Sequence, residues 1–180
     1  MHVKAREIAF CGLLLALSVV CMAMGSVIET NTLFLLAAAA YFVGIVIREF
    51  GVKAGIAFYA ADVILGLFIT PNKFYVLSFA AMGFYILAVE IIWRILAKSS
   101  GKLPRTGIFW AAKYVVFNLM YIPIVFGFQE LLFSKKLSDM TLIAVLAAGQ
   151  IAVWLYDRAY EYVQGQLWNK YRGRFLHPGN

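Results

Sequence analysis

Two charged residues stand deepest in apolar sequence and are the first candidates for chemistry, Asp62 and Lys113. Asp62 lies about ten residues from either end of the apolar run 52–70. A carboxylate near the centre of a bilayer costs at least ~2.5 kcal/mol, so it must turn toward other helices and find a partner there. Gly55, Tyr59, Asp62 and Gly66 share one helical face, which gives the carboxylate a place to pack. Lys113 sits at a shallower depth on a later helix, with a stem long enough to reach inward. Two pairings are expected, Asp62 with Lys113 or Asp62 with Asn118 one turn deeper. Either arrangement serves as a buried tether or as a substrate or ion site. Glu90 precedes Arg94 by four residues, the order that suits a local ion pair.

A second group of polar and aromatic residues falls near the opposite ends of the helices. It comprises Glu29 and Asn31, then Asn72, Lys73 and Tyr75, then Asn118, Tyr121 and Gln129, and finally Gln150 and Trp154 at about mid-depth. Aromatic rings with a few polar groups at the mouth of a helix bundle are what a small-molecule pocket needs. Taken singly, Asn31 and Asn72 read as helix caps and Tyr75 as an interfacial aromatic. Pro123 is expected to kink its helix and release a backbone carbonyl. A third pattern is a stripe of small residues at the start of the chain, Ala5, Ala9, Gly12, Ala16 and Ala23. Such faces let helix backbones approach closely in lipid, either within the chain or against a partner protein.

The catalytic repertoire is thin. The two histidines are His2 and His177, and no HExxH, GxSxG or phosphate-cradling glycine loop is present. No catalytic residue, metal site or cofactor is therefore expected, and the lack of a nucleotide motif excludes a self-powered pump.

These residues must be positioned by membrane helices. Of 180 residues 63% are hydrophobic and 14% charged, whereas soluble domains are nearer half apolar and a quarter charged. So small a globule cannot bury that excess, so lipid must solvate much of the surface. A spanning helix takes ~20 residues. Six are predicted, at 6–28, 33–49, 52–70, 73–97, 107–132 and 139–163, in a single all-α membrane domain. The breaks are marked by Glu29-Thr30-Asn31-Thr32, Gly51, Pro71-Asn72, the polar stretch Ser99 to Pro104, and Lys135 to Asp139. The first segment begins with Lys4 and Arg6, as a signal peptide would, but its apolar run from Ile8 to Ile28 has spanning length. Cys11 and Cys21 on that helix would stand ~15 Å apart, too far to bridge.

The net charge of +7 follows topology rather than nucleic-acid binding. Lys4, Arg6, Arg48, Lys53, Arg94, Lys98, Lys102, Arg105, Arg158, Lys170, Arg172 and Arg174 fall on one side, against Lys73, Lys135 and Lys136 on the other. That imbalance predicts both termini in the cytoplasm of a multi-pass membrane protein, with Trp93 and Trp110 near the inner face. The basic tail 164–180, with Trp168, Tyr171 and Phe175 interleaved, is expected to lie along the anionic inner leaflet or to fray into solvent.

The opening Arg6-Glu7-Ile8-Ala9-Phe10-Cys11-Gly12-Leu13-Leu14-Leu15-Ala16-Leu17-Ser18 resembles the first helix of the substrate-binding S components of energy-coupling factor (ECF) transporters. In that family an Ala-x-x-x-Ala pattern contacts a transmembrane coupling subunit. Here Gly12 and Ala16 fall on it, with glycine in place of the first alanine. The architectural likeness covers the whole chain, and the motif covers the first helix alone. It implies a six-helix subunit of a bacterial plasma membrane that binds a vitamin-like micronutrient near the outer face, docks through Ala9, Gly12 and Ala16, and is energised by a coupling subunit and two cytoplasmic ATPases. Two alternatives are a non-catalytic scaffold of a cell-envelope complex and a small proton-coupled carrier using Asp62. The carrier reading lacks the inverted repeats usual for such proteins.

Overall fold

The computed structural model describes residues 2–98, 105–127 and 138–176. Among them every regular element is helical. The chain forms α1 (His2–Val27), a 3-10 turn (Glu29–Asn31), α2 (Thr32–Phe50), α3 (Val52–Ile69), α4 (Lys73–Lys98), α5 (Arg105–Gly127) and α6 (Asp139–Tyr162). A π-helical turn (Val163–Trp168) then leads into α7 (Asn169–Leu176). Among the described residues six helices are long and apolar enough to cross a membrane. The protein is thus an all-α, multi-pass membrane protein.

Its residues group into two compact units, Met1–Ile91 with Trp168–Asn180, and Ile92–Leu167. The first is built around α2, whose buried residues Leu36, Ala39, Ala40, Val43, Ile45, Val46 and Ile47 extend around much of the helix. A helix apolar on all sides is a central helix. Phe10, Leu14 and Met22 of α1, Phe58 of α3 and Phe79 of α4 complete that core.

Local chemistry sets the turns of this unit. Thr32 Oγ1 donates to the Gly25 carbonyl at 2.8 Å and so joins the start of α2 to the end of α1. Gly51 separates α2 from α3 at φ +92°, which L side chains rarely adopt. The hairpin it closes is tight, since a Cβ on Gly55 would stand 2.1 Å from Ile47 Cγ1. The predicted face of α3 is confirmed, with Gly55, Asp62 and Gly66 buried and Tyr59 half-buried.

In the second unit α6 starts at Ser138, whose Oγ accepts from the Thr141 amide at 3.4 Å, and Asp139 complements the helix dipole. Pro123 lies inside α5, where its ring removes one amide from the helical ladder. Phe68, Leu77, Leu119 and Met140 are largely exposed, as lipid-facing side chains should be.

The expected break at 163 is replaced by continuous helix as far as Leu176. The polar run Gln164-Gly165-Gln166 reads as an end, yet no proline stops the helix there. The π turn carries the chain into α7, and Trp168 and Arg172 both donate to Glu49 of α2, at 2.8 and 3.1 Å. The described part of the tail is therefore fastened to the end of α2 instead of frayed. Gln129, Lys102, Lys135, Lys136 and His177 lie outside the described residues.

Candidate functional site

The small-residue stripe has the clearest geometry. Phe10, Leu14, Ser18, Val19, Met22 and Gly25 are the buried residues of α1, and Val19 lies toward the stripe's side of the helix. At 100° per residue, Ala5, Ala9, Gly12, Ala16 and Ala23 centre roughly 150° away from those buried residues. Ala5, Ala9, Gly12 and Ala16 are exposed, and a Cβ built on Gly12 meets nothing within 4 Å. Within the first unit Ala5, Ala9, Gly12 and Ala16 are therefore left uncovered, while Ala23 is half-buried. The flanking Ile8, Leu13, Leu17 and Val20 are exposed as well.

The opposite face of α1 carries a site that sequence reasoning missed. Ser18 is buried and its hydroxyl lies 2.5 Å from Asp62 Oδ2 on α3. The same hydroxyl stands 3.5 Å from the Ala39 carbonyl of α2. The expected pairing of Asp62 with Lys113 or Asn118 is thus replaced by a serine. A lone serine in an apolar run reads as packing, and its one available signal was position, on the buried row with Leu14 and Met22.

Lys113 is buried too, but its partners are Asp157 and Glu161 on α6, each at 2.8 Å. Its ammonium also stands 4.3 Å from the Phe109 ring centroid and 4.7 Å from that of Trp110. Two carboxylates one turn apart are what a buried ammonium needs to offset its lost hydration. Arg158 reaches Glu161 at 3.4 Å and lies over the rings of Trp110 and Trp154. Glu90 is met by Arg48, 2.6 Å away on α2. Arg48 is thus a partner that the i+4 rule did not supply.

The expected ligand cluster divides between the two units, and most of its polar atoms have structural work. In the first unit Asn72 Oδ1 accepts from the Phe74 amide at 3.0 Å, as a cap of α4. Lys73 Nζ donates to the carbonyls of Leu67 and Thr70 at the end of α3, where the helix dipole favours a cation. Tyr75 packs against the hydrophobic core. Asn31 is exposed at the start of α2 and makes no side-chain cap bond. Glu29 belongs to the 3-10 turn.

In the second unit Asn118 and Gln150 exchange two hydrogen bonds, at 3.1 and 2.9 Å. Tyr121 donates to the Val145 carbonyl at 2.7 Å. Its ring lies over Gly149, where a Cβ would stand 2.3 Å from Cε1. These residues hold α5 to α6. Trp154 is exposed beside Arg158. What marks Asn72, Lys73, Asn118, Tyr121 and Gln150 as ligand candidates is polarity near the helix ends and at mid-depth. Capping and interhelical bonding satisfy that polarity without a ligand.

Among the described residues no group of three or more His, Cys, Asp or Glu could hold a metal ion. Cys11 and Cys21 are free thiols. The chain matches no protein-family model, no curated protein and no solved structure.

Proposed function

We propose that this chain is the substrate-binding membrane subunit of a micronutrient uptake transporter, similar to the S components of energy-coupling factor systems. It would dock on a transmembrane coupling subunit through Ala9, Gly12 and Ala16, with cytoplasmic ATPases supplying the energy. The observation that carries the reading is the exposed row Ala5, Ala9, Gly12 and Ala16 of α1, which the first unit's own helices leave uncovered. In lipid no hydrophobic drive gathers helices, and close backbone approach over small residues is a main source of association. The excess of Lys and Arg at one set of helix ends supports cytoplasmic termini in a bacterial plasma membrane.

The test is recovery of the tagged protein from its native membrane beside a Gly12→Leu/Ala16→Leu variant. Both side chains would enter exposed positions, so the variant should fold as the parent does. Recovery of a coupling subunit with two ATPases, lost in the variant, is the expected result. Their absence from both samples, or equal recovery in both, would overturn the reading.

A second reading has its own support. Asn72, Lys73, Asn118, Tyr121 and Gln150 use polar atoms for caps and interhelical bonds. A non-catalytic scaffold of a cell-envelope complex would be built that way, using the α1 face for assembly alone. A small molecule retained by the purified protein favours the binder. Recovery with envelope-assembly proteins and no small molecule favours the scaffold.

A further inference from the structure

Asp62 is fully buried where α3 meets α1 and α2, and none of the ion pairs among the described residues includes it. Among the described residues its hydrogen-bond partner is Ser18, and Oδ1 has none. The ion pairs of Arg48, Lys113, Arg158 and Arg172 are made with other carboxylates. An ionised carboxylate offers about four acceptor sites. Left buried with one hydroxyl and no counter-charge, it would be among the costliest groups a membrane interior can hold.

The hydroxyl count sharpens the point. Ser18 has one hydrogen but faces two acceptors, Asp62 Oδ2 at 2.5 Å and the Ala39 carbonyl at 3.5 Å. On α1, Cys21 lies one turn from Ser18 and is a free thiol, which brings no positive charge. On α3, Tyr59 turns its hydroxyl to the Ala80 carbonyl of α4, 2.8 Å away. From α2 comes the Ala39 carbonyl. Three helices thus converge oxygen atoms on one place that no ion pair among the described residues balances.

We propose that Asp62, Ser18 and the Ala39 carbonyl form a binding site for one small monovalent cation, a proton or a sodium-sized ion. A proton on Asp62 gives every hydrogen an acceptor, since the carboxyl donates to Ser18 Oγ and the Ser18 hydroxyl donates to Ala39. A sodium-sized ion would instead take Asp62 Oδ1 and Ser18 Oγ among its oxygen ligands. In both cases the bound charge clasps α1 to α3 from the buried face of α1. The site is independent of partner docking, which would use the other face.

The experiment uses the full chain in nanodiscs with ¹³C-labelled aspartate carboxyls. Three aspartates are present, Asp62, Asp139 and Asp157, so the infrared assignment is tractable. One arm records the protonated-carboxyl band at neutral pH in sodium-free buffer. The other compares unfolding in sodium and choline chloride at equal ionic strength. The proton form is established by a band that Asp62→Asn removes and Ser18→Ala shifts. The sodium form is established by stability that rises with sodium alone. The folded-to-unfolded ratio then grows about tenfold per tenfold increase in ion above Kd, and that response disappears in Asp62→Asn. Should Asp62→Asn fail to fold, Ser18→Ala must still shift the band or weaken the sodium response. No protonated band together with equal stability in the two salts would overturn the proposal, as would either signal left unchanged by both substitutions.

Discussion

Gly149→Ala should destabilise the α5–α6 pair, although alanine is the better helix former. The added Cβ would lie 2.3 Å from Tyr121 Cε1, 2.4 Å from Cζ and 2.7 Å from the hydroxyl. Ordinary contact begins near 3.4 Å, so the ring must retreat by about 1 Å. It is held by the bond to the Val145 carbonyl at 2.7 Å and by stacking on Phe117 at 4.8 Å between centroids. A retreat of that size breaks the hydrogen bond, which contributes ~0.6–1 kcal/mol between membrane helices. Overpacking adds ~1–3 kcal/mol. Replacing a helical glycine by alanine returns ~1 kcal/mol. The net expectation is a loss of about 1–3 kcal/mol. In a Tyr121→Ala background the ring is gone and only the helix-propensity gain remains, so Gly149→Ala should there be neutral or stabilising by up to ~1 kcal/mol. The assay is reversible unfolding in mixed micelles at increasing SDS fraction, run on all four members of the cycle. A stabilising Gly149→Ala in the parent, or an equal effect in both backgrounds, would refute the close approach of Tyr121 to Gly149.

The Asn118–Gln150 exchange predicts coupling of the same kind. Asn118→Leu or Gln150→Leu alone strands one amide and should cost about 1–2 kcal/mol, whereas the double substitution should cost less than the sum of the two. Strict additivity in micelle unfolding would argue against the reciprocal bonds. Trp168→Phe removes the donor to Glu49 while keeping the ring against Phe10. A hydrogen bond to a charged acceptor is worth about 1.5–3 kcal/mol, so amide exchange across Asn169–Leu176 should accelerate by an order of magnitude or more. Unchanged exchange would mean that Arg172 alone holds α7 in place.

Six apolar runs, their punctuation and their charge bias were legible in the sequence because each is a local or compositional property. An apolar run of spanning length has few stable alternatives to helix in lipid. The break at Gly51 is equally local, since it depends on one residue's backbone freedom. The buried face of α3 followed from helical periodicity, and so did the small stripe of α1.

Partner choice was not legible, because it depends on which faces meet. Asp62 met Ser18, Lys113 met Asp157 and Glu161, and Glu49 met Trp168 from 119 residues away. Depth and polarity marked Asn118, Tyr121 and Gln150 as unusual but could not distinguish a ligand contact from an interhelical bond, because both satisfy the same buried dipoles. What the sequence determined by itself was the solvent of this protein and the helices that solvent imposes. Tertiary structure decided whether the small face of α1 would be covered, and which oxygens would surround its one deeply buried aspartate in the first unit. Both are set by the rotation of each helix against its neighbours, which no local pattern encodes.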